Sequence, residues 1–429
     1  MTMSIATAEA AAALRHALRE GSTTGLSDAG LIDLIRELEL LKNTIAATQA
    51  RAADELRKRR ESAVRTDDDR AAAVRSVGSE VALARRESPW WGSRHVALAR
   101  VLVGELVCTM QLLAEGMISE RHALVIAQQT ATLSAEDREE VDRRLAPVLA
   151  HLSVRQAEAA ALRVAAELDA ASLVARREAA VRERRVTVRP APDGMAYLSI
   201  LGPLPDVVGA YAALTRQAKA VAAGLAAEEP AGRPVGAIAA DTALRLLSGR
   251  AEGELQPVEI QLVMTDRALL GSGEVSRSVR EPARIVGHGS LPASAAREWL
   301  RDVEARVWFR RLYTDPTSEQ VVAMDSRRRP FTGRLRDLVI LRDDTCSTPW
   351  CDAPVVHADH TVPVREGAPT SLANGSGRCA RCNFTKEHPG WAAWGALDTG
   401  PPGITLRTPT GHTYTSSSPP VLGWGERVA

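Results

Sequence analysis

The chain has 429 residues, with 54 Lys+Arg against 53 Asp+Glu and a formal net charge of +1. At roughly 100–200 residues per domain, that length implies two or three domains. Hydrophobic residues make up 45% and charged residues 25%, a globular balance that excludes disorder along most of the chain. The near-zero charge excludes a uniformly basic coat, so any nucleic-acid site has to be a local patch.

Aromatic residues are only 3%, so the expected core is aliphatic and largely helical. No stretch of about 18 uncharged apolar residues occurs. The best run, Val96 to Ile118, is interrupted by Arg100, Glu105 and Glu115. The Ala-rich start lacks the basic, apolar and cleavage segments of a secretion signal. The expectation is a cytoplasmic protein with no membrane contact.

Residues 1–185 read as helix almost throughout. Leu31, Leu34, Leu38, Leu41 and Ile45 recur at 3,4,3,4 spacing and form one apolar seam. Such a seam suits a dimerising coiled coil, and hence a homodimer, or a hairpin packed within its own domain. Its short length favours the hairpin. Pro89 after Ser88 predicts a helix start. Ser134-x-x-Asp137 and Ser153-x-x-Gln156 fit capping boxes. Two basic runs, Arg57 to Arg60 and Arg176 to Arg185, are interleaved with acids and read as solvated helix faces, with contact to a phosphate backbone as the alternative.

Near residue 186 the period changes. Val186 to Val188 and Met195 to Leu201 predict a β-hairpin. Helices are expected over 205–226, 236–248 and 292–303, and strands over Val258 to Met264 and Gln320 to Met324. Residues 271–282 read as a polar loop. The expected fold class is therefore mainly α with a small α+β middle region over 186–325. A compact C-terminal module follows over 326–395, and then a weakly structured tail over 396–429. No glycine-rich phosphate loop joins a strand to a helix, so no nucleotide cofactor is expected.

The chemistry concentrates between Arg327 and Trp391. From Ser326 to Arg342 there are six Arg, including Arg327, Arg328 and Arg329, and one Asp, a local charge of +5. That is an electrostatic footprint for phosphates. Thr332 is a plausible cap for a helix over Gly333 to Arg342. Cys346-x4-Cys351 follows, and 27 residues later comes Cys379-x2-Cys382. Four of the five Cys thus fall in two close pairs, which suits a tetrahedral zinc site of four thiolates. The fifth, Cys108, reads as a small buried hydrophobe. Between the pairs, Val355 to Pro363 reads as a strand that puts His357 and Asp359 on one face and His360 on the other. The loop from Arg365 to Asn374 leads to the second pair, and a short helix from Asn383 is stopped by Pro389. Asp359, His360, Asn374 and Asn383 therefore lie between two stapled turns and can converge.

This constellation resembles the HNH nuclease domain, the ββα-metal fold, in its zinc-stapled subclass. The likeness is carried by Asp359-His360, Asn374, Asn383 directly after Cys379-x2-Cys382, and Lys386. Asn383 stands where many members carry the last His. The segment Ser76 to Arg144, with Glu115-Gly116-Met117-Ile118-Ser119 and Leu133-Ser134-Ala135-Glu136-Asp137-Arg138, resembles the domain of unknown function 222. That domain occurs upstream of HNH modules in the 13E12-repeat proteins. Asn383 to Glu387 and Pro389-Gly390-Trp391 resemble that group's C-terminal signature.

The resemblance implies a metal-dependent endonuclease acting on DNA, double-stranded in the first instance. It implies Asp359 and Asn383 as oxygen ligands of a catalytic Mg²⁺ or Mn²⁺, and His360 as general base, since an imidazole titrates near neutral pH. Asn374 holds the loop or orients His360. Lys386, with Arg378 or Arg381, touches phosphates. Glu387 is a further candidate for the metal shell, and His357 either supports a ligand or packs. Two other readings compete. One is a zinc-stapled nucleic-acid-binding module without catalysis. The other is a zinc deaminase, whose H-x-E and P-C-x-x-C pattern is approached by His357-Ala358-Asp359 and Cys379-x2-Cys382. There Asp replaces Glu, Arg378 replaces Pro, and Cys346 and Cys351 have no role.

Overall fold

The computed structural model describes residues 2–192, 194–223, 233–249, 262–265, 268, 281–287, 289–302, 331, 333–395 and 403–421. The expected strand at Gln320 to Met324, the basic run Arg327 to Arg329, Thr332 and most of the 271–282 loop lie outside them. The chain divides into two compact units, Met1–Arg59 with His95–Leu173, and Arg60–Arg94 with Val174–Ala429. That division does not follow the boundaries expected at 185 and 325. Among the described residues, no single helix is long and apolar enough to cross a membrane.

The first unit is helical. It contains α1 (Thr2–Glu20), most of α2 (Asp28–Ser62) and the greater part of α4 (Pro89–Gly104). It continues with α5 (Val107–Ala114), α6 (Glu120–Gln129), α7 (Ala135–Leu149) and α8 (Val154–Leu168). Its core holds Leu102, Leu106, Leu113, Ile126 and Leu149. Ala157, Ala161 and Ala165 recur every four residues and are fully buried. That small-residue face of α8 lets the neighbouring helices approach closely. The predicted serine caps form: Ser134 Oγ accepts from Asp137 N, and Ser153 and Gln156 complete a capping box. Asp142, on α7, caps α5 from a distance, taking the N–H groups of Cys108 at 2.6 Å and Thr109 at 2.9 Å. Cys108 itself is half-buried at the start of α5.

The leucine seam of α2 is not its buried face. Leu38 and Ile45 are exposed, and the buried stripe is Asn43, Ala46, Ala47, Ala53, Asp54 and Arg57. Small residues are needed there because the α5–α6 turn lies against the helix. Asn43 Nδ2 donates to Gly116 O at 3.1 Å, and Thr44 Oγ1 donates to Ala114 O at 2.9 Å. Gly116 has φ +80, and a Cβ there would meet Leu40 O at 2.7 Å.

The second unit begins with α3 (Asp67–Arg85), capped by Thr66 and ended by Arg86 at φ 58. It takes in the first turn of α4, which begins at Pro89 as predicted. α9 (Ala170–Arg182) leads into it from the first unit. The predicted hairpin forms from β1 (Arg185–Pro190) and β2 (Ala196–Leu201), followed by α10 (Leu204–Ala222) and α11 (Val235–Ser248). A three-stranded antiparallel sheet comes next, from β3 (Leu262–Val263), β4 (Ala283–Ile285) and β5 (Gly289–Leu291), with α12 (Ala293–Asp302) after it. Residues 258–261 of the expected third strand lie outside the described residues.

Then come α13 (Gly333–Asp343), β6 (His357–His360), β7 (Gly375–Arg378) and α14 (Ala380–Thr385). β6 and β7 pair antiparallel, with Asp359 opposite Ser376 and His360 opposite Gly375. α13 packs on this hairpin, which explains two glycines in β7. A Cβ at Gly375 would lie 2.9 Å from Val339 of α13, and one at Gly377 would lie 3.2 Å from the Asp343 Cβ. Arg342 and Asp343 fasten the end of α13. Arg342 donates to Leu372 O and Gly375 O, both at 2.6 Å, and Gly377 N donates to Asp343 Oδ2 at 2.6 Å.

The tail departs from expectation. β9 (Gly403–Arg407) and β10 (Thr413–Ser417) form a hairpin that pairs with β8 (Ala392–Gly395). Ile404 and Leu406 alternate into the interior, and Thr413 to Ser417 supplies extended-favouring residues. Its high Ser, Thr and Gly content marked turns rather than absence of structure. Residues 422–429 lie outside the described residues.

Candidate functional site

Cys346, Cys351, Cys379 and Cys382 are all buried, and their sulfurs lie within 4.8 Å of one another. The closest pairs are Cys351 to Cys382 at 3.7 Å and Cys351 to Cys379 at 3.9 Å. A tetrahedral zinc with Zn–S near 2.3 Å requires sulfurs about 3.8 Å apart. The cluster therefore fits a metal such as zinc. Local backbone makes it so. Trp350 takes φ 58 in the first turn, where Cys351 N donates to Thr348 O. Cys379 is the N-cap of α14, and its sulfur accepts from Cys382 N at 3.3 Å. Hydrogen bonds among the sulfurs push the Cys346 thiol below its ordinary range and the Cys351 and Cys382 thiols above it. Four thiolate ligands would fill a tetrahedral shell, without the open position for a water that the deaminase pattern needs.

The polar cluster lies on β6 and α14. The Asp359 carboxylate takes the His360 N–H at 2.8 Å. Lys386 Nζ sits 3.0 Å from Asp359 Oδ2 and 3.2 Å from Glu387 Oε1, and donates to His360 O at 3.0 Å. Burial pushes the Asp359 carboxyl up. The charge of Lys386, the His360 N–H, and hydrogen bonds from Lys386 and Asn383 outweigh it, so the carboxyl lies below its ordinary value. Asn383 thus adjoins Asp359, and its Oδ1 is buried with no hydrogen-bond partner. A buried amide oxygen left bare is costly. A carboxylate and an amide oxygen are donor types that a hard divalent cation takes.

His360 is buried on the other side of β6 and packs on Phe331, ring centroids 4.8 Å apart. Its Nε2 shares a hydrogen bond with Thr370 Oγ1 at 2.8 Å, and its Nδ1 lies 3.5 Å from Asp359 Oδ1. Asn374 does not touch the imidazole. Its Oδ1 accepts from Val362 N at 2.9 Å, and its Nδ2 donates to Val362 O and Pro369 O. It holds the loop shut, and Thr370 on that loop orients the ring. Sequence reading missed Thr370, because one threonine in a polar loop carries no signal by itself. His357 packs edge-on against Phe384, and His388 stands past the end of α14.

Three residues expected to touch phosphates are placed otherwise. Arg378 is fully buried, bonded to Ser376 Oγ at 3.2 Å and Thr348 Oγ1 at 2.9 Å. β7 is covered by packing, so its arginine points inward. Arg381 turns to Ser93 at the start of α4, to whose Oγ it donates. The Lys386 side chain is 6% exposed, its ammonium engaged by Asp359 and Glu387.

The family described as "Domain of unknown function (DUF222)" matches residues 32–343, more than half of the chain. The chain belongs to the DUF222 family. The family match ends at Asp343, the last residue of α13, so the cysteine cluster and the Asp359 site follow it. An uncharacterized protein of Mycobacterium tuberculosis is 30% identical over 155 residues, 35% of this chain and 27% of that relative. The match thus spans about a quarter of the relative's length. No solved structure matches. Neither the DUF222 name nor the relative's states an activity.

Proposed function

We propose that this DUF222 protein is a metal-dependent endonuclease of the HNH kind, cutting phosphodiester bonds in double-stranded DNA, with its four cysteines holding a structural zinc. The supporting observation is the bare, buried Oδ1 of Asn383 beside the ionised Asp359, with His360 directly behind. On this reading Asp359 and Asn383 hold Mg²⁺ or Mn²⁺. When bound, such an ion neutralises charge on the scissile phosphate and the leaving oxygen.

The chain's own residues do the rest. Thr370 holds His360 through Nε2, which leaves Nδ1 as the basic atom. The 3.5 Å separation from Asp359 is too long to commit that nitrogen to a hydrogen bond. His360 Nδ1 takes the proton of the attacking water. Asn374 and the loop it closes keep Thr370 in place. Lys386 holds Asp359 on one side and His360 O on the other, fixing both ends of the dipeptide.

The test is incubation of zinc-loaded protein with plasmid and Mg²⁺ or Mn²⁺, beside a His360→Ala variant with the same zinc content. Nicking or linearisation lost in the variant supports the reading. No cleavage with either ion sinks it. The binding-module reading has one observation in its favour. The Lys386 ammonium already compensates Asp359, so the carboxylate does not require a metal.

A further inference from the structure

The first unit packs on one side of α2 and leaves an apolar seam on the other. Leu31, Leu34, Leu38, Leu41 and Ile45 recur along that seam. Leu38 is 37% and Ile45 is 45% exposed, and Ile35 on its flank is 61% exposed. None of the five belongs to the core of the unit or to the partly buried residues packed against it. The packed side is that of Asn43, bonded to Gly116 O, and of Ala47, which is in the core. At 3.6 residues per turn, that side points almost directly away from the seam. Among the described residues the seam has no cover, and an exposed apolar stripe of this kind marks an interaction surface.

The charges beside the seam say what fits it. In heptad terms Leu31, Leu38 and Ile45 take the a position, and Leu34 and Leu41 take d. Glu37 then falls at g and Lys42 at e. In a parallel pair of helices, a g residue reaches the e residue five positions further on in the partner. Glu37 of one copy therefore meets Lys42 of a second copy, and two-fold symmetry makes the contact twice. An antiparallel pair sets g against g and e against e, and loses the match. Both side chains stand at the surface, Glu37 66% and Lys42 69% exposed. Lys42 pairs with Glu39 at 2.6 Å on its own helix, an exposed contact that costs little to exchange.

We propose that the seam of α2 is a docking surface for a second copy of this chain, joined as a parallel two-stranded coiled coil over Leu31 to Ile45. The a and d residues bury one another, and the Glu37–Lys42 pairs set direction and register. Leucine at both d positions is not the Leu-at-a, Ile-at-d pattern of larger bundles. Five core layers cover roughly 1,000 Å² in total, below the standard size of a specific interface. The dimer is therefore reversible, dissociating at roughly micromolar concentrations. The proposal goes beyond the nuclease reading and does not depend on it.

The test is sedimentation equilibrium of the full chain across a wide concentration range, beside Leu38→Glu, Glu37→Lys and Lys42→Glu. Wild type should pass from monomer to dimer as concentration rises. Leu38→Glu should stay monomeric with unchanged helix content by circular dichroism, since Leu38 lies outside the core of its own unit. Glu37→Lys and Lys42→Glu should each weaken the dimer by roughly ten-fold, because each sets like charges opposite one another. An equimolar mixture of those two variants should recover wild-type affinity, since both cross-pairs are then opposite in sign. Lost packing or altered folding cannot produce that recovery. A mixture no tighter than its components overturns the parallel register. A dimer that survives Leu38→Glu places the interface elsewhere. Wild type that remains monomeric throughout overturns the proposal. If Leu38→Glu then also lowers thermal stability, the seam is covered by the same chain.

Discussion

Lys386 Nζ lies 3.0 Å from Asp359 Oδ2, a contact that ties the C-cap of α14 to β6, with the lysine side chain buried and the aspartate about one-third exposed. It fixes the protonation of the site. Burial alone would raise the Asp359 carboxyl, and the lysine charge, the His360 N–H and the Asn383 amide reverse it. The carboxylate is thereby kept ionised next to the one amide oxygen of α14 that is buried and bare.

Replacing Lys386 with Met removes the largest influence that lowers the Asp359 carboxyl. A group whose folded pKa is depressed stabilises the fold above its unfolded pKa and loses that contribution as pH falls through the folded value. The stability gap between wild type and Lys386→Met should therefore be widest near neutral pH and shrink as pH falls below the ordinary carboxylate range. Urea unfolding at a series of pH values measures it. A gap that does not change with pH would assign Lys386 a packing role only.

Thr370→Val keeps the side-chain shape and removes the hydroxyl that meets His360 Nε2. If His360 is the base, cleavage should fall by about ten-fold in kcat with little change in KM, and its pH profile should move. Thr370→Ser should restore both. A variant with wild-type kcat and pH profile would remove Thr370 from the mechanism.

Asp142 is 2% exposed and accepts from Cys108 N, Thr109 N and Thr109 Oγ1. Asp142→Ala leaves two backbone donors of α5 unsatisfied in the interior, at a cost of about 3 kcal/mol. Asp142→Asn keeps acceptor capacity and should cost about half as much. Both values come from chemical unfolding, and equal losses would show that the charge contributes nothing.

Gly92 sits where α4 crosses α3. A Cβ there would fall inside contact distance of Gly78 O and 2.6 Å from Ala82 Cβ. Neither neighbour is a flexible tip that can yield. Gly92→Ala should destabilise the second unit by about 3 kcal/mol. Gly104→Ala on the same helix meets nothing within 4 Å and serves as the control. Similar losses in both would attribute the effect to helix geometry rather than to the α3 contact.

The legible features were local ones. Ser134 and Ser153 announce helix starts because a cap is a three-residue relationship, and both caps are present. The cysteine cluster was legible because metal ligands come in close pairs. What failed depended on distant chain. Arg378 and Arg381 look like phosphate contacts in a basic stretch, but sequence gives their charge and not the face they occupy. The strand carrying Arg378 is packed on both sides, and Arg381 meets Ser93, 288 residues away. The alternation of Ile404 and Leu406 was readable in the tail, yet the surrounding Ser, Thr and Gly obscured it. The leucine seam of α2 is apolar and still not the buried face, because backbone carbonyls of the α5–α6 turn claim the neighbouring side.

Those long-range contacts decide whether the C-terminal module stands alone. Residues 326–400 contain all four cysteines, Asp359, His360 and Asn383, and would pass as a domain on motif grounds. The structure places part of their covering elsewhere. Trp391 is bonded to Ser76, Ser418 Oγ donates to Asp343 Oδ1 at 2.7 Å, and Ser416 Oγ donates to Ser347 O. β9 and β10 also complete the sheet begun by β8. A 326–400 fragment should lose these bonds, expose the α3-facing side of the cysteine cluster, and bind zinc more weakly than the whole chain. A fragment extended to residue 421 should recover part of that loss. Covalently restoring residues 60–94 through a flexible linker should recover the remainder. Zinc affinity and near-ultraviolet circular dichroism across the three fragments test this ordering. Full affinity in the 326–400 fragment would show that the cysteine unit folds without α3.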